Sequence, residues 1–161
     1  MKMADDELLK AKKKALTLLT DRDHSVAELK KKLKRSGYSD EAADEAIAYA
    51  GSFGYLDDDR YADHYIQFYS QSRSRQKIYY DLIGKGVDPE VIERAFERAG
   101  DYDEKPLIRT LVQKKLKTFG KSTSGAETKV IQSLMRKGFS MGDVRSVLDD
   151  MDIFTDGDED E

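Results

Sequence analysis

The groups able to do acid–base or nucleophilic chemistry are few. The chain has two histidines, His24 and His64, and no cysteine. Catalysis needs such groups at a defined spacing. Neither histidine has an i, i+4 partner that would pair it on a helix for metal binding. His24 directly precedes Ser25, which reads as a helix cap, and His64 lies beside Asp63 inside a helical stretch. These contexts favour a structural place for His24 and a surface place for His64. The lack of cysteine excludes disulfides, thiolate catalysis and zinc fingers.

Three other motifs also fail as chemistry. Gly120-Lys121-Ser122 has the look of the end of a phosphate-binding loop, but position 115 is lysine where that loop needs glycine, and the segment before it reads as a helix. The run from Asp156 to Glu161 starts like a calcium loop and lacks the later glycine and glutamate, so solvated disorder is expected there. Asp57, Asp58 and Asp59 are placed to cap a helix, since carboxylates accept the orphan amides of its first turn. No catalytic residue, metal ligand or cofactor is expected, and the chain reads as a non-enzyme.

The remaining chemistry is cationic. Lys30, Lys31, Lys34 and Arg35 lie on one predicted helix whose apolar stripe is Val26, Leu29 and Leu33, with Lys30, Lys31 and Lys34 off that stripe and facing solvent. Further groups are Arg73, Arg75 and Lys77; Lys114, Lys115, Lys117 and Lys121; and Arg136 and Lys137. Apart from Lys121, these form the expected face for a protein partner or DNA phosphates. Eight acidic residues between Asp149 and Glu161 outweigh the net charge of −4, and without them the chain stands at +4. A basic body with an acidic tail can meet phosphates, and the tail can compete for the same surface. Tyr55, Tyr61, Tyr65, Tyr69, Tyr79 and Tyr80 make the middle of the chain aromatic. Core packing is favoured for them over base stacking.

These residues are carried by a repeat. Ser25 to Tyr38, Ser74 to Val87 and Ala126 to Phe139 align without gaps, at offsets of 49 and 52 residues. Leu29, Ile78 and Val130 match, as do Leu33, Leu82 and Leu134, each pair four residues apart on one helix face. Gly37, Gly86 and Gly138 follow, and next to them Tyr38, Val87 and Phe139. A glycine that turns the chain left-handed, with an apolar contact back to the matched leucine, is a Schellman stop. Ser39, Asp88-Pro89 and Ser140 start the next helices. Ser25 with Glu28 reads as a capping box, and Ser124 with Glu127 as a looser one. A leading helix precedes each pair, over about 5–20, 58–70 and 105–119.

The expected architecture is therefore all-α, with three tandem three-helix repeats forming an elongated curved array. The expected bounds are 1–56, 57–104 and 105–152, followed by an acidic disordered tail at 153–161. A composition of 37% charged residues and only two prolines suits such thin helical modules. Met1 to Lys10 has no apolar run, and the uncharged stretch from Ala46 to Leu56 is too short to cross a bilayer. A cytoplasmic chain with no membrane partner is expected.

Asp21-Arg-Asp-His-Ser25 with Glu28-Leu29, then Gly54-Tyr-Leu-Asp-Asp58 with Arg60-Tyr-Ala62, resemble the RecX family. Ser72 to Ser74, Gly86-Val87 and Lys129 to Phe139 extend the likeness across about 15–152. The chain departs from the family's pattern in Arg73-Ser-Arg-Gln-Lys77, which lacks the glycine often found there, and in the acidic tail. The resemblance implies a monomeric modulator of the RecA recombinase that lies in the groove of the RecA filament on single-stranded DNA. It implies inhibition of the filament's ATPase, strand exchange and support of repressor self-cleavage, by blocking growth or promoting disassembly. It leaves weak direct DNA binding open. The alternative reading is a helical module that binds DNA without any recombinase.

Overall fold

A computed structural model describes residues 2–101, 103–120 and 124–154. Among them stand nine helices and no strand. In order they are α1 (Lys2–Asp21), α2 (Val26–Arg35), α3 (Asp40–Ser52), α4 (Asp58–Tyr69), α5 (Arg75–Gly84), α6 (Pro89–Ala99), α7 (Lys105–Phe119), α8 (Ala126–Arg136) and α9 (Met141–Met151). Lys121 and residues 155–161, the bulk of the acidic tail, lie outside the described residues. Ile153 and Phe154 do not trail away but pack, half-buried, on the last core.

Local chemistry sets the ends of the middle helices. Gly37, Gly86 and Gly138 have φ of 98°, 81° and 95°. Behind each glycine, the amide of Tyr38, Val87 or Phe139 reaches back to the carbonyl of Leu33, Leu82 or Leu134 at 3.2, 3.1 and 3.2 Å. The glycine amides bond to Lys34, Ile83 and Met135. Both bonds of the Schellman motif are thus made three times. At the other end, Ser25 Oγ accepts the Glu28 amide while Glu28 takes the Ser25 amide, completing the box. Ser39, Asp88 and Ser140 cap α3, α6 and α9. The box at Ser124 and Glu127 does not form. Gly125 occupies the cap position with φ 74° and no side-chain bond, because glycine reaches that left-handed conformation without a Cβ penalty.

Leu29, Ile78 and Val130, and Leu33, Leu82 and Leu134, are buried in all three copies, none more than 2% exposed. The helices divide into two compact units, 1–66 with 80–99 and 67–79 with 100–161. In the first, α1, α2 and α3 pack together around Leu29 and Leu33, with Ala11, Ala15, Ala42, Ala43, Ala46 and Ala50. Alanines on facing helices let their backbones come close. In the second, α7, α8 and α9 close over Ile108, Val112, Val130, Leu134, Phe139 and Val144.

Each unit also contains one joint between successive repeats, and the two joints are alike. In the first, Ser25 Oγ donates to the Lys85 carbonyl at 2.6 Å, and Gly86 lies so close to Ala27 that a Cβ there would overlap the alanine methyl. In the second, the Ser74 amide donates to the Lys137 carbonyl at 3.0 Å, and a Cβ on Gly138 would overlap Ser74 Oγ and Lys77 Cβ. The start of one repeat's middle helix therefore seats on the glycine stop of the next. These two glycines are required twice, once by φ and once by contact.

Candidate partner interface

The basic residues of α2 divide by what they meet. Lys30 Nζ lies 2.9 Å from Asp44 and Lys34 Nζ 2.7 Å from Asp40, both on α3. The two lysines are therefore partnered within the fold instead of simply facing solvent. The pairs raise the affinity of Lys30 for its proton and lower that of Asp40, in each case chiefly through the hydrogen bond between partners. Lys31 and Arg35 are exposed. With Lys32 and Lys85 they line a cleft of about 300 Å³ between α2 and the end of α5. Glu28 sits at its floor and takes Lys85 at 3.3 Å and Arg22 at 3.6 Å. Lys85 aligns with Lys137, each directly before its glycine. That correspondence is the signal from which Lys85 could have been read in the sequence.

The joint beneath this cleft is dense in polar groups. His24, 3% exposed, takes Lys32 Nζ at Nε2 (2.9 Å) and faces the Arg22 carbonyl with Nδ1 (2.9 Å). The network assigns the neutral tautomer that donates from Nδ1. Burial, with Arg22 and Lys32 as neighbouring cations, lowers its pKa and keeps the ring neutral. Burial alone would raise Glu28. The Ser25 amide and the Lys85 and Arg22 charges outweigh it and hold the carboxyl low. Asp58 is pushed the other way, by burial and the charges of Asp57, Asp59 and Glu28, although its Oδ1 accepts the Val26 amide at 2.8 Å. Tyr61 is buried, and burial and Glu28 raise its phenol. Of the acidic trio, then, Asp57 caps its own helix through the Asp59 and Arg60 amides. Asp58 caps α2, 32 residues away, and Asp59 pairs with Arg94 and Arg98 of α6. His64 is exposed and lies 3.0 Å from Asp23.

Among the second unit's cations, Arg73 lies over the Tyr69 ring at 3.8 Å. Arg75 bonds the Gly100 carbonyl, and its amide meets Glu104. Lys77 is half-buried at the Gly138 joint. These three have duties inside the fold. Lys114, Lys115 and Lys137 converge with Thr118 and Ser133 on a cleft of about 180 Å³ between α7 and α8. Lys117 and Arg136 are exposed outside it. The tyrosines divide as well. Tyr61 is core, whereas Tyr55 and Tyr80 are 54% and 62% exposed, which corrects the expectation that this group is core. Among the described residues no three His, Cys, Asp or Glu converge on a metal-sized site, and no helix is long and apolar enough to cross a membrane.

Three family models match in chain order: RecX first three-helix domain over 11–49, second over 57–95 and third over 103–148. The chain belongs to the RecX family. It is 33% identical over 144 residues to the regulatory protein RecX of Caldanaerobacter subterraneus subsp. tengcongensis, covering 88% of this chain and 71% of that one. It is 32% identical to the regulatory protein RecX of Vibrio vulnificus, covering 89% and 94%. The crystal structure of RecX from Lactobacillus salivarius superposes with a TM-score of 0.72 at 23% identity, over 93% of this chain and 99% of that one. A second RecX crystal structure gives 0.75, also at 23% identity, over 91% and 75%. The RecX fold thus accounts for all three repeats.

Proposed function

We propose that this RecX-family chain is a non-enzymatic, cytoplasmic negative modulator of the RecA recombinase. It lies as a monomer in the groove of the RecA filament on single-stranded DNA. There it slows the filament's ATPase, strand exchange and coprotease support by hindering growth or promoting disassembly. The observation that carries this reading is the ordered match of all three RecX domains across 11–148. The three repeats keep the bounds 1–56, 57–104 and 105–152 as the functional modules. The contact surface includes Lys31 and Arg35 on α2, and Lys114, Lys115 and Lys137 between α7 and α8. Lys30, Lys34, Arg73, Arg75, Lys77, Lys117 and Arg136 are the further cations of the proposed surface, outside the lining of these two clefts. Attraction to phosphates by counterion release makes binding weaken as salt rises.

The test is the ATPase of RecA on single-stranded DNA, titrated with this protein at two salt concentrations. Inhibition that grows with protein and fades with salt is expected. An ATPase untouched at any concentration refutes the reading. Tight binding to bare duplex with sequence preference would favour a module that acts on DNA without a recombinase.

A further inference from the structure

The first unit carries an aromatic surface that its fold leaves uncovered. Phe53 and Tyr55 are 58% and 54% exposed, and their rings stack on each other at 5.8 Å and 18°. Tyr49 meets Phe53 edge-on at 5.0 Å, and Lys12 Nζ sits 4.8 Å over the Tyr49 ring. The cluster is held rigidly. Gly54 turns left-handed with φ 74°. The Gly54 and Tyr55 amides bond back to Gly51 and Ala50, both at 3.0 Å. Arg60 Nη1 clamps the Gly54 carbonyl at 2.9 Å. This is a fourth Schellman stop, and its apolar residue faces outward. The other stops set that residue against a leucine, but here the facing residue is Ala50, too short to cover a phenol ring.

Beside the rings opens a cleft of about 470 Å³, lined by Leu16, Leu19, Thr20, Gly54, Tyr55 and Arg60. Lys12, Leu16 and Thr20 follow one face of α1 at spacings of four and eight residues, and Lys13 lies three residues before Leu16. The cleft thus meets the ring pair through Tyr55, with Arg60 in its lining and Lys12 and Lys13 one turn before Leu16 on α1.

We propose that the Phe53–Tyr55 ring pair and the adjoining cleft bind unpaired nucleobases of single-stranded nucleic acid, with Lys12, Lys13 and Arg60 meeting the phosphates. Bases stack on aromatic faces irrespective of sequence, and cations beside those faces track the backbone. Lys12, Lys13 and Arg60 select a polyanion over an acid-poor apolar peptide. A preset turn spares the ligand the cost of ordering the rings. A duplex, whose bases are already stacked, has no face to offer. The site is separate from the clefts assigned above and needs no recombinase to act.

The chain has no tryptophan, so Phe53→Trp supplies a single reporter at the site. Titration of this variant with a short oligothymidylate is expected to quench its fluorescence saturably, and titration with a duplex of equal length is not. In the otherwise unaltered chain, Phe53→Leu with Tyr55→Leu keeps the surface apolar and removes the rings. It is expected to weaken single-strand binding by about 5- to 150-fold per base lost from the stack, with the same duplex affinity and an unchanged melting temperature. Lys12→Glu with Lys13→Glu is expected to flatten the salt dependence while the rings still quench. Equal single-strand affinity in the leucine variant and the unaltered chain overturns the proposal. So does a tryptophan that no single strand quenches. A failed RecA ATPase test leaves all of these readouts standing, so the two readings fail separately.

Discussion

Replacing Gly86 by alanine and comparing it with the same change at Gly37 isolates the energy of a joint between repeats. Both glycines close a middle helix with positive φ, 81° and 98°. An L-residue in that region costs about 1–2 kcal/mol. That cost is common to both sites, as is the small gain from a stiffer unfolded chain. The surroundings differ. A Cβ at Gly37 meets nothing within 4 Å, whereas at Gly86 it overlaps the Ala27 methyl. An alanine methyl has no rotamer by which to retreat, so α2 and the end of α5 must move apart. Overpacking of this kind adds about 1–3 kcal/mol. Gly37→Ala is therefore expected to lower the melting temperature by a few degrees, and Gly86→Ala by roughly twice as much or more, given about 2–4 °C per kcal/mol in a chain of this length. Thermal denaturation followed by circular dichroism reads both. The control is Ala27→Gly, which removes the overlapping methyl at a helix-propensity cost of about 1 kcal/mol. In the double variant the overlap is gone, so the two losses should sum to less than their separate values. Equal losses at Gly37 and Gly86, or strict additivity with Ala27→Gly, would refute the close packing of the joint.

Four further outcomes follow from the polar and charged groups. Glu28 is held below its ordinary value, so its contribution to stability is present above about pH 4.5 and is lost as pH falls through its lower folded value; Glu28→Gln should flatten the acid limb of a stability–pH profile. Asp58 is raised instead, so its charged form costs stability as pH climbs through the folded value. Asp58→Asn, which keeps an acceptor for Val26, should be close to neutral at pH 7, while Asp58→Ala should cost about 1–3 kcal/mol by orphaning that buried amide, as measured by urea midpoints. Lys31→Glu with Arg35→Glu should weaken RecA inhibition in the ATPase assay without changing the melting temperature. Lys30→Glu with Lys34→Glu should lower the melting temperature slightly, because each mutation sets a carboxylate against Asp44 or Asp40.

The helices were legible wherever their ends are determined locally. Ser25 with Glu28, and each glycine with its apolar neighbour, carry the whole instruction within six residues. Ser124 with Glu127 misled because Gly125, between them, can itself begin the helix. The site was less legible, because pairing depends on which helices cross. Lys30 and Lys34 look like solvent lysines along α2, and only the packing of α3 brings Asp44 and Asp40 to them. Asp58 looks like a cap for its own helix, yet it caps α2. Tyr55 looks like a core aromatic, and only the short side chain of Ala50 at the facing position leaves its ring uncovered.

The two joints give the series a polarity. The middle repeat carries both halves of the coupling, the Ser74 plug and the Gly86 socket. The first repeat offers a plug and keeps its Gly37 socket empty, while the third offers a socket and begins its own middle helix with Gly125 and Ala126 in place of a buried serine. A duplicated middle repeat would find a matching neighbour on each side, so a longer relative can arise by copying that module alone. A duplicated third repeat would need its serine restored before another could follow it. The polarity thus rests on one aligned position, serine at 25 and 74 and alanine at 126, where a middle helix begins.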